Sequence, residues 1–208
     1  NDIMSLGMHR LWKKRFVEII DCNNNENILD VGSGSGDIAL EITKTKIPVY
    51  LSLLDLNQEM LEEGKKRFEN NKNINFIIGN GENLKFKSNY FDKYAIAFCL
   101  RNITNFKLSI KEAYRVLKPG GKYCCLEFSS PKSSLVSYTY KIYKSNILPY
   151  LGEVIAKDKD AYKYLSESID LFPNQQELEK ILISCGFINV KSINLFNGIV
   201  SIHTGYKI

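Results

Sequence analysis

Three glycines at alternate positions, Gly32, Gly34 and Gly36, carry the clearest chemical signal in the chain, with Asp30 before them and Asp37 after. Apolar Ile28, Leu29 and Val31 read as a buried strand leading into them, and a helical pattern starts at Ile38. Glycine allows a tight turn and lets backbone N–H groups approach a ligand without a Cβ in the way. The following helix would aim its unpaired N–H groups and partial positive charge at that ligand. The spacing is G-x-G-x-G, not the G-x-G-x-x-G of dinucleotide folds, and a pyrophosphate would be repelled by the two flanking acids. A ligand with a cationic amino-acid head and a neutral nucleoside suits them better. The loop therefore favours S-adenosylmethionine over NAD.

Asp55 lies nineteen residues beyond Gly36, at the end of the apolar run 49–54. An acid there accepts hydrogen bonds from both ribose hydroxyls of an adenosine ligand. It also suits the cap of a helix over 57–69, and the two roles are compatible. The turn Gly79-Asn80-Gly81-Glu82 follows a third strand, 74–78, and offers a polar group to an adenine amine. Strand four, 91–98, runs into Cys99-Leu100-Arg101-Asn102, which places a permanent cation at its carboxyl end. The expected cofactor residues are Asp30, Gly32, Gly34, Gly36, Ala39, Asp55, Leu56, Asn80, Gly81 and Ala97, with Arg101 and Asn102 as the catalytic pair.

The elements that must position these residues alternate in type. An amphipathic helix fills residues 1–22, with Leu11, Trp12, Phe16, Ile19 and Ile20 at three- and four-residue steps. Helices over 38–46 and 106–117 and a fifth strand over 122–128 complete a β–α alternation, which indicates a doubly wound, largely parallel sheet. Lys118-Pro119-Gly120-Gly121 is a stop signal between the second of these helices and that strand. Residues 131–170 hold six of the twelve tyrosines and read as a helical insertion over the ligand edge: core packing or an apolar substrate lid. A helix from Phe172-Pro173 to a cap at Gly186 leads to alternating stretches 187–195 and 199–206 around Asn197-Gly198, a hairpin signal. A doubly wound sheet ending in an antiparallel hairpin is typical of class I methyltransferases. The expected fold is thus α/β and Rossmann-like, with seven strands in one methyltransferase domain over 1–208.

Composition narrows the field. The chain is 44% apolar and 25% charged, as soluble globular proteins are, and no run reaches the roughly 18 apolar residues of a membrane span. A net charge of +5 from scattered lysines makes no nucleic-acid tract. Five cysteines without C-x-x-C spacing argue against disulfides and zinc, so no metal is expected and a reducing compartment is implied. The chain opens at Asn1 without an initiator Met, and nothing follows about targeting.

Taken together, the residues resemble the ubiquinone/menaquinone-biosynthesis C-methyltransferases. The likeness runs along the whole chain. It rests on Met4-Ser5-Leu6-Gly7-Met8-His9-Arg10-Leu11-Trp12, Phe98-Cys99-Leu100-Arg101-Asn102-Ile103-Thr104, Arg115-Val116-Leu117-Lys118-Pro119-Gly120-Gly121 and Leu126-Glu127-Phe128-Ser129. Tyr164-Leu165-Ser166-Glu167-Ser168-Ile169, Phe172-Pro173 and Asn197-Gly198-Ile199-Val200 extend it. The glycine loop departs from the family's frequent G-G-T-G-D, and Asn80-Gly81 replaces a common Asp-Ala. The family's usual extension upstream of Asn1 is absent, so a truncated form lacking part of an N-terminal lid is expected.

The resemblance implies methylation of a ring carbon on a polyprenylated benzoquinol by S-adenosylmethionine, without metal. Such a carbon becomes nucleophilic when a neighbouring hydroxyl ionises, and a phenol titrates near pKa ~10, so the site must favour phenolate. Arg101 would favour it by charge, Asn102 would orient oxygen or water, and His9, Glu127 or a water would take the proton. The implied setting is the matrix side of the mitochondrial inner membrane, or the cytoplasm of a bacterium. Peripheral membrane contact through 131–170 and its lysines, other quinone-biosynthesis proteins and a homodimer are the implied partners. Rival readings are a dehydrogenase, a nucleic-acid methyltransferase, a methyltransferase of another small molecule, and a non-catalytic subunit of a quinone-biosynthesis assembly. The loop spacing and terminal hairpin disfavour the first, and F-C-L-R in place of N-P-P-Y after strand four disfavours amino-methylating types of the second.

Overall fold

Apolar residues on both faces of consecutive strands make the centre of this molecule a sheet covered on two sides. The computed structural model describes residues 8–129 and 159–208. Its strands are β1 (Asn27–Val31), β2 (Tyr50–Asp55), β3 (Ile74–Ile78), β4 (Phe91–Ala97), β5 (Leu117–Phe128), β6 (Ile188–Leu195) and β7 (Val200–Tyr206). They form one sheet in the order β3-β2-β1-β4-β5-β7-β6. β1 to β5 pair in parallel, whereas β7 runs antiparallel to both β5 and β6. This is the expected class I topology. The strand order reverses between β1 and β4, which opens a crevice at their carboxyl ends.

Among the described residues the helices are α1 (Met8–Ile20), α2 (Asp37–Thr43), α3 (Gln58–Arg67), α4 (Phe106–Val116), α5 (Lys159–Leu171) and α6 (Gln175–Ser184). On one face Trp12, Phe16 and Ile20 of α1 meet Ile38 and Ile42 of α2 over Leu51, Leu53 and Ala95. On the other, Ile110 and Ala113 of α4 and Leu178 and Leu182 of α6 meet Leu29, Tyr94 and Ile96. Cys124 and Cys125 are both buried but belong to opposite cores, as strand alternation requires. They serve there as small apolar side chains.

Several boundaries differ from the sequence reading for local reasons. β5 starts at Leu117, directly after α4. Gly120 there takes φ +80, and the register with β4 shifts between Phe91 and Lys93. The stop signal thus ends the helix but stays within the strand. α6 begins behind Asn174, whose side chain accepts from the N–H groups of Gln176 and Glu177 while Glu177 reaches back in a capping box. Phe172-Pro173 precedes that cap. The β6–β7 hairpin turns through Phe196, Asn197 and Gly198, all with positive φ, a longer turn than a two-residue Asn-Gly. The block Met4–Gly7 and most of the 131–170 insertion, with Tyr138, Tyr140, Tyr143, Tyr150 and Lys132, Lys141, Lys144 and Lys157, lie outside the described residues. Among the described residues no helix is long and apolar enough to cross a membrane.

Candidate active site

Among the described residues, two cavities that share Gly32 lie at the crevice. The larger, about 270 Å³, is walled by His9, Trp12 and Lys13 of α1, the glycine loop, Met60, Ala97, Phe98, Arg101, Phe128 and Leu165. The smaller, about 200 Å³, is walled by Asp55, Leu56, Gly79–Glu82, Cys99 and Asn102–Thr104. Of the residues expected to hold a cofactor, Gly32, Gly34 and Ala97 line the first, and Gly32, Asp55, Leu56, Asn80 and Gly81 line the second.

The loop is built differently from the simple picture of free N–H groups. Gly32 and Ser33 donate to Leu54 O at 2.8 and 3.2 Å, Gly36 donates to Ser33 O at 2.9 Å, and Gly34 donates to Asp55 Oδ2 at 2.7 Å. Those N–H groups already have protein acceptors. The glycines serve conformation and close approach instead: φ is +66, +53 and +83 at Gly32, Gly34 and Gly36. A Cβ on Gly32 would stand 2.1 Å from Cys99 Sγ. Burial first, then the Glu127 charge, pushes the Cys99 thiol up to about 12, so it stays a protonated, inert wall.

Asp55 also accepts from Asn57 N–H at 2.9 Å through Oδ1, while Asn57, not Asp55, caps α3 by accepting from Met60 N–H. Each Asp55 oxygen retains acceptor capacity for a hydroxyl. Asn80 Oδ1 accepts from Glu82 N–H at 2.8 Å, and Glu82 Oε1 accepts from Asn105 N–H at 2.8 Å, which ties this turn to the start of α4. The amide NH₂ of Asn80 is the group left for a ligand.

Asp30 and Asp37 do not present to a ligand the bare negative charge that the sequence suggests. Asp37 bonds Lys13 Nζ at 2.6 Å and an Arg67 Nη at 2.7 Å. Burial alone would raise its pKa, but these two partners bring it down to about 2. Asp30 is 1% exposed and lines neither cavity, and its Oδ2 has no partner among the described residues. Burial, reinforced by the charges of Asp55 and Asp37, lifts its pKa to about 8. One acid is thus compensated by two cations and the other is mostly neutral at pH 7. Ala39 is fully buried in the core beneath α2 and lines neither cavity, because its place on the helix faces the sheet. Gly36 also lines neither. A Cβ there would meet the Phe68 ring at 2.8 Å.

Arg101 is the second correction. It lies in a short 3₁₀ turn, Leu100–Asn102, and is no free cation. One Nη donates to Glu127 Oε1 at 2.6 Å and to Phe98 O at 2.7 Å. Its guanidinium covers the Phe128 ring at 5.3 Å. Glu127 also accepts from the N–H groups of Phe128 at 2.9 Å and Arg101 at 3.3 Å. Burial raises the Glu127 pKa although Arg101 opposes it. A carboxylate so fully engaged is a holder of Arg101, which removes it from the candidate bases. Phe98 adopts φ +54, unusual for an aromatic residue, and that twist turns its carbonyl to Arg101. Asn102 accepts from Tyr164 Oη at 3.4 Å, so α5 reaches the Arg101–Asn102 turn.

Trp12, Lys13, Phe98, Phe128 and Leu165 are wall residues that sequence reasoning did not assign. For Lys13 there was a signal: it is a cation on the buried side of an amphipathic helix.

A model of the ubiE/COQ5 methyltransferase family matches residues 1–207. The chain belongs to that family. Proteins named ubiquinone/menaquinone biosynthesis C-methyltransferase UbiE are similar throughout. One from Rickettsia bellii is 48% identical, covering 100% of this chain and 86% of its own, and one from Rickettsia prowazekii is 49% identical over the same shares. Solved structures share the fold. A Haloferax volcanii methyltransferase complexed with the Trm112 activator has TM-score 0.72 at 16% identity, covering 97% and 92% of the two chains. A Thermotoga maritima S-adenosylmethionine-dependent methyltransferase has TM-score 0.68 at 17% identity, covering 97% and 90%. The UbiE relatives are bacterial and lend no support to a mitochondrial address.

Proposed function

We propose that this protein methylates a ring carbon of a polyprenylated benzoquinol on the path to ubiquinone or menaquinone, with S-adenosylmethionine as cofactor. The observation that carries this reading is the family match over the whole chain, with C-methyltransferases about half identical to it. The crevice fits the cofactor. Asp55 offers two carboxylate oxygens to ribose and Asn80 an amide to adenine. When bound, S-adenosylmethionine supplies an electrophilic methyl group to a nucleophilic ring carbon.

The chain's own residues make that carbon nucleophilic. Glu127 and Phe98 hold Arg101 by one edge of its fork, and Arg101 still has Nε–H, which is buried without a partner, to offer a quinol oxygen. Asn102, braced by Tyr164, orients that oxygen or a water. His9, which lines the larger cavity, or a water takes the proton. Phe98, Phe128, Trp12 and Leu165 exclude solvent around the ring, and fixed geometry alone can supply roughly 7–11 kcal/mol.

Residues 1–208 act as one methyltransferase domain with 1–22 closing over the crevice. The bacterial relatives favour a cytoplasmic setting. A prenyl tail requires peripheral contact with a membrane, and a homodimer or other quinone-biosynthesis proteins would be its company there. Titration calorimetry with S-adenosylmethionine and with NADH tests the cofactor half: micromolar binding of the first and none of the second is expected. The reverse order would overturn the reading.

A further inference from the structure

Trp12 is the chain's one tryptophan and is 4% exposed. Its ring lies 6.2 Å from Phe98, 6.3 Å from Phe128 and 5.8 Å from Phe196, centroid to centroid. Apolar packing would accept phenylalanine at this position as well. An indole adds a single N–H, which in a buried tryptophan usually has an acceptor. Here the Nε1–H is buried and has no hydrogen-bond partner among the described residues.

The surroundings indicate what that acceptor is. Trp12 forms part of the wall of the larger cavity, and two other residues of that wall, Arg101 and Ser33, also carry a buried polar atom without a partner, Nε and Oγ. Trp12 and Arg101 both pack on Phe128, the indole with its plane 87° from the ring's and the guanidinium over the ring. The indole and guanidinium nitrogens can donate but cannot accept, so they cannot satisfy one another. Two donor-only groups in one cavity wall, neither of them bonded to Ser33 Oγ or to another described acceptor, suit an oxygen that carries negative charge and comes with a ligand.

We propose that Trp12 is a substrate-binding residue whose indole N–H donates to the ionising quinol oxygen, beside Arg101 Nε–H, and holds it as phenolate. This rests on the quinol reading above. A neutral donor in a dry pocket favours O⁻ over OH without adding a charge that would repel the sulfonium. Helix α1 is then more than a cover, because it brings half of the phenolate site.

Trp12→Phe tests this, since it preserves an aromatic ring among the three phenylalanines and deletes the N–H. The expected result is unchanged S-adenosylhomocysteine affinity, a kcat on polyprenyl benzoquinol lower by about tenfold or more, and an acid limb of the pH–rate profile moved to higher pH. His9, Lys13, Asp37 and Arg101, the titratable residues in the same wall, stay in place in this variant. A second readout needs no variant. Emission of the one tryptophan in the wild type should change when the ring-methylated quinol product joins S-adenosylhomocysteine on the enzyme. Wild-type-like kcat and pH profile in Trp12→Phe, or unaltered emission, would overturn the inference alone. Weakened S-adenosylhomocysteine binding in Trp12→Phe would also overturn it, by giving the N–H to the cofactor's carboxylate. A wild type that binds S-adenosylhomocysteine but neither methylates nor binds quinols would overturn the quinol reading and this inference with it.

Discussion

Glu127→Gln is the most telling single change, because it keeps shape and removes only charge. Glu127 and Arg101 are 1% and 9% exposed at their side chains, so water screens this pair little. The carboxylate accepts three hydrogen bonds, from Arg101 Nη, Arg101 N–H and Phe128 N–H. Glutamine replaces one acceptor oxygen with an NH₂ donor, which must then face another donor. The Arg101 cation would be left with the Phe98 carbonyl and the Phe128 ring. Removing one partner of a buried ion pair costs about 3–5 kcal/mol, and Arg101 borders a cavity that can admit water, so the lower end applies. A loss of about 3 kcal/mol corresponds to a Tm lower by roughly 6–12 °C in a protein of this size. Urea unfolding followed by circular dichroism measures it. The double variant Glu127→Gln with Arg101→Met should recover part of the loss, because it removes the orphaned charge. A loss in Glu127→Gln below about 1 kcal/mol, the value of an exposed pair, would refute the reasoning.

Three further outcomes follow from the same geometry. Asp30 takes up a proton on folding, since its pKa rises from the ordinary carboxylate range to about 8, so its effect on stability worsens as pH climbs through that window. Asp30→Asn should therefore melt progressively above wild type between about pH 4 and about pH 8, and a gap independent of pH would show that Asp30 does not titrate there. Asp55→Ala should lose about 1.5–3 kcal/mol of S-adenosylmethionine affinity by calorimetry, and undiminished binding would remove ribose from this position. Arg101→Lys retains the charge but cannot span Glu127 and Phe98 while lying flat on Phe128. Turnover should fall more than about tenfold with cofactor affinity nearly intact, whereas equal losses in both would mark Arg101 as a cofactor ligand.

What the sequence discloses is local. Apolar runs, glycine spacing and turn residues locate the strands, the loop and the terminal hairpin, since each depends on neighbours in the chain. Asp55, Asn80 and Arg101 are recognisable because each stands at the end of a strand, where an α/β sheet places its ligand edge. What escapes notice is pairing across the sheet. Arg101 reads as a free cation until β4 and β5 lie side by side and bring Glu127, twenty-six residues later, to 2.6 Å. Asp37 reads as bare negative charge until α1 and α3 bring Lys13 and Arg67 to it. Asp30 reads as ionised until burial is known. S-adenosylmethionine fits the family, but these two acids, one paired and one buried, do not select it by charge. Ala39, expected at the cofactor, is turned into the core by its helical position.

The central claim is transfer of a methyl group to ring carbon. Purified protein, S-adenosylmethionine with an isotopically labelled methyl group and a polyprenyl benzoquinol that lacks the ring methyl would be incubated together, and the product examined by NMR. The account predicts one labelled methyl on a ring carbon, with loss of the aromatic proton that carbon held and both quinol oxygens unsubstituted. Label on a quinol oxygen, or an unaltered quinol beside protein that demonstrably binds the cofactor, would contradict it.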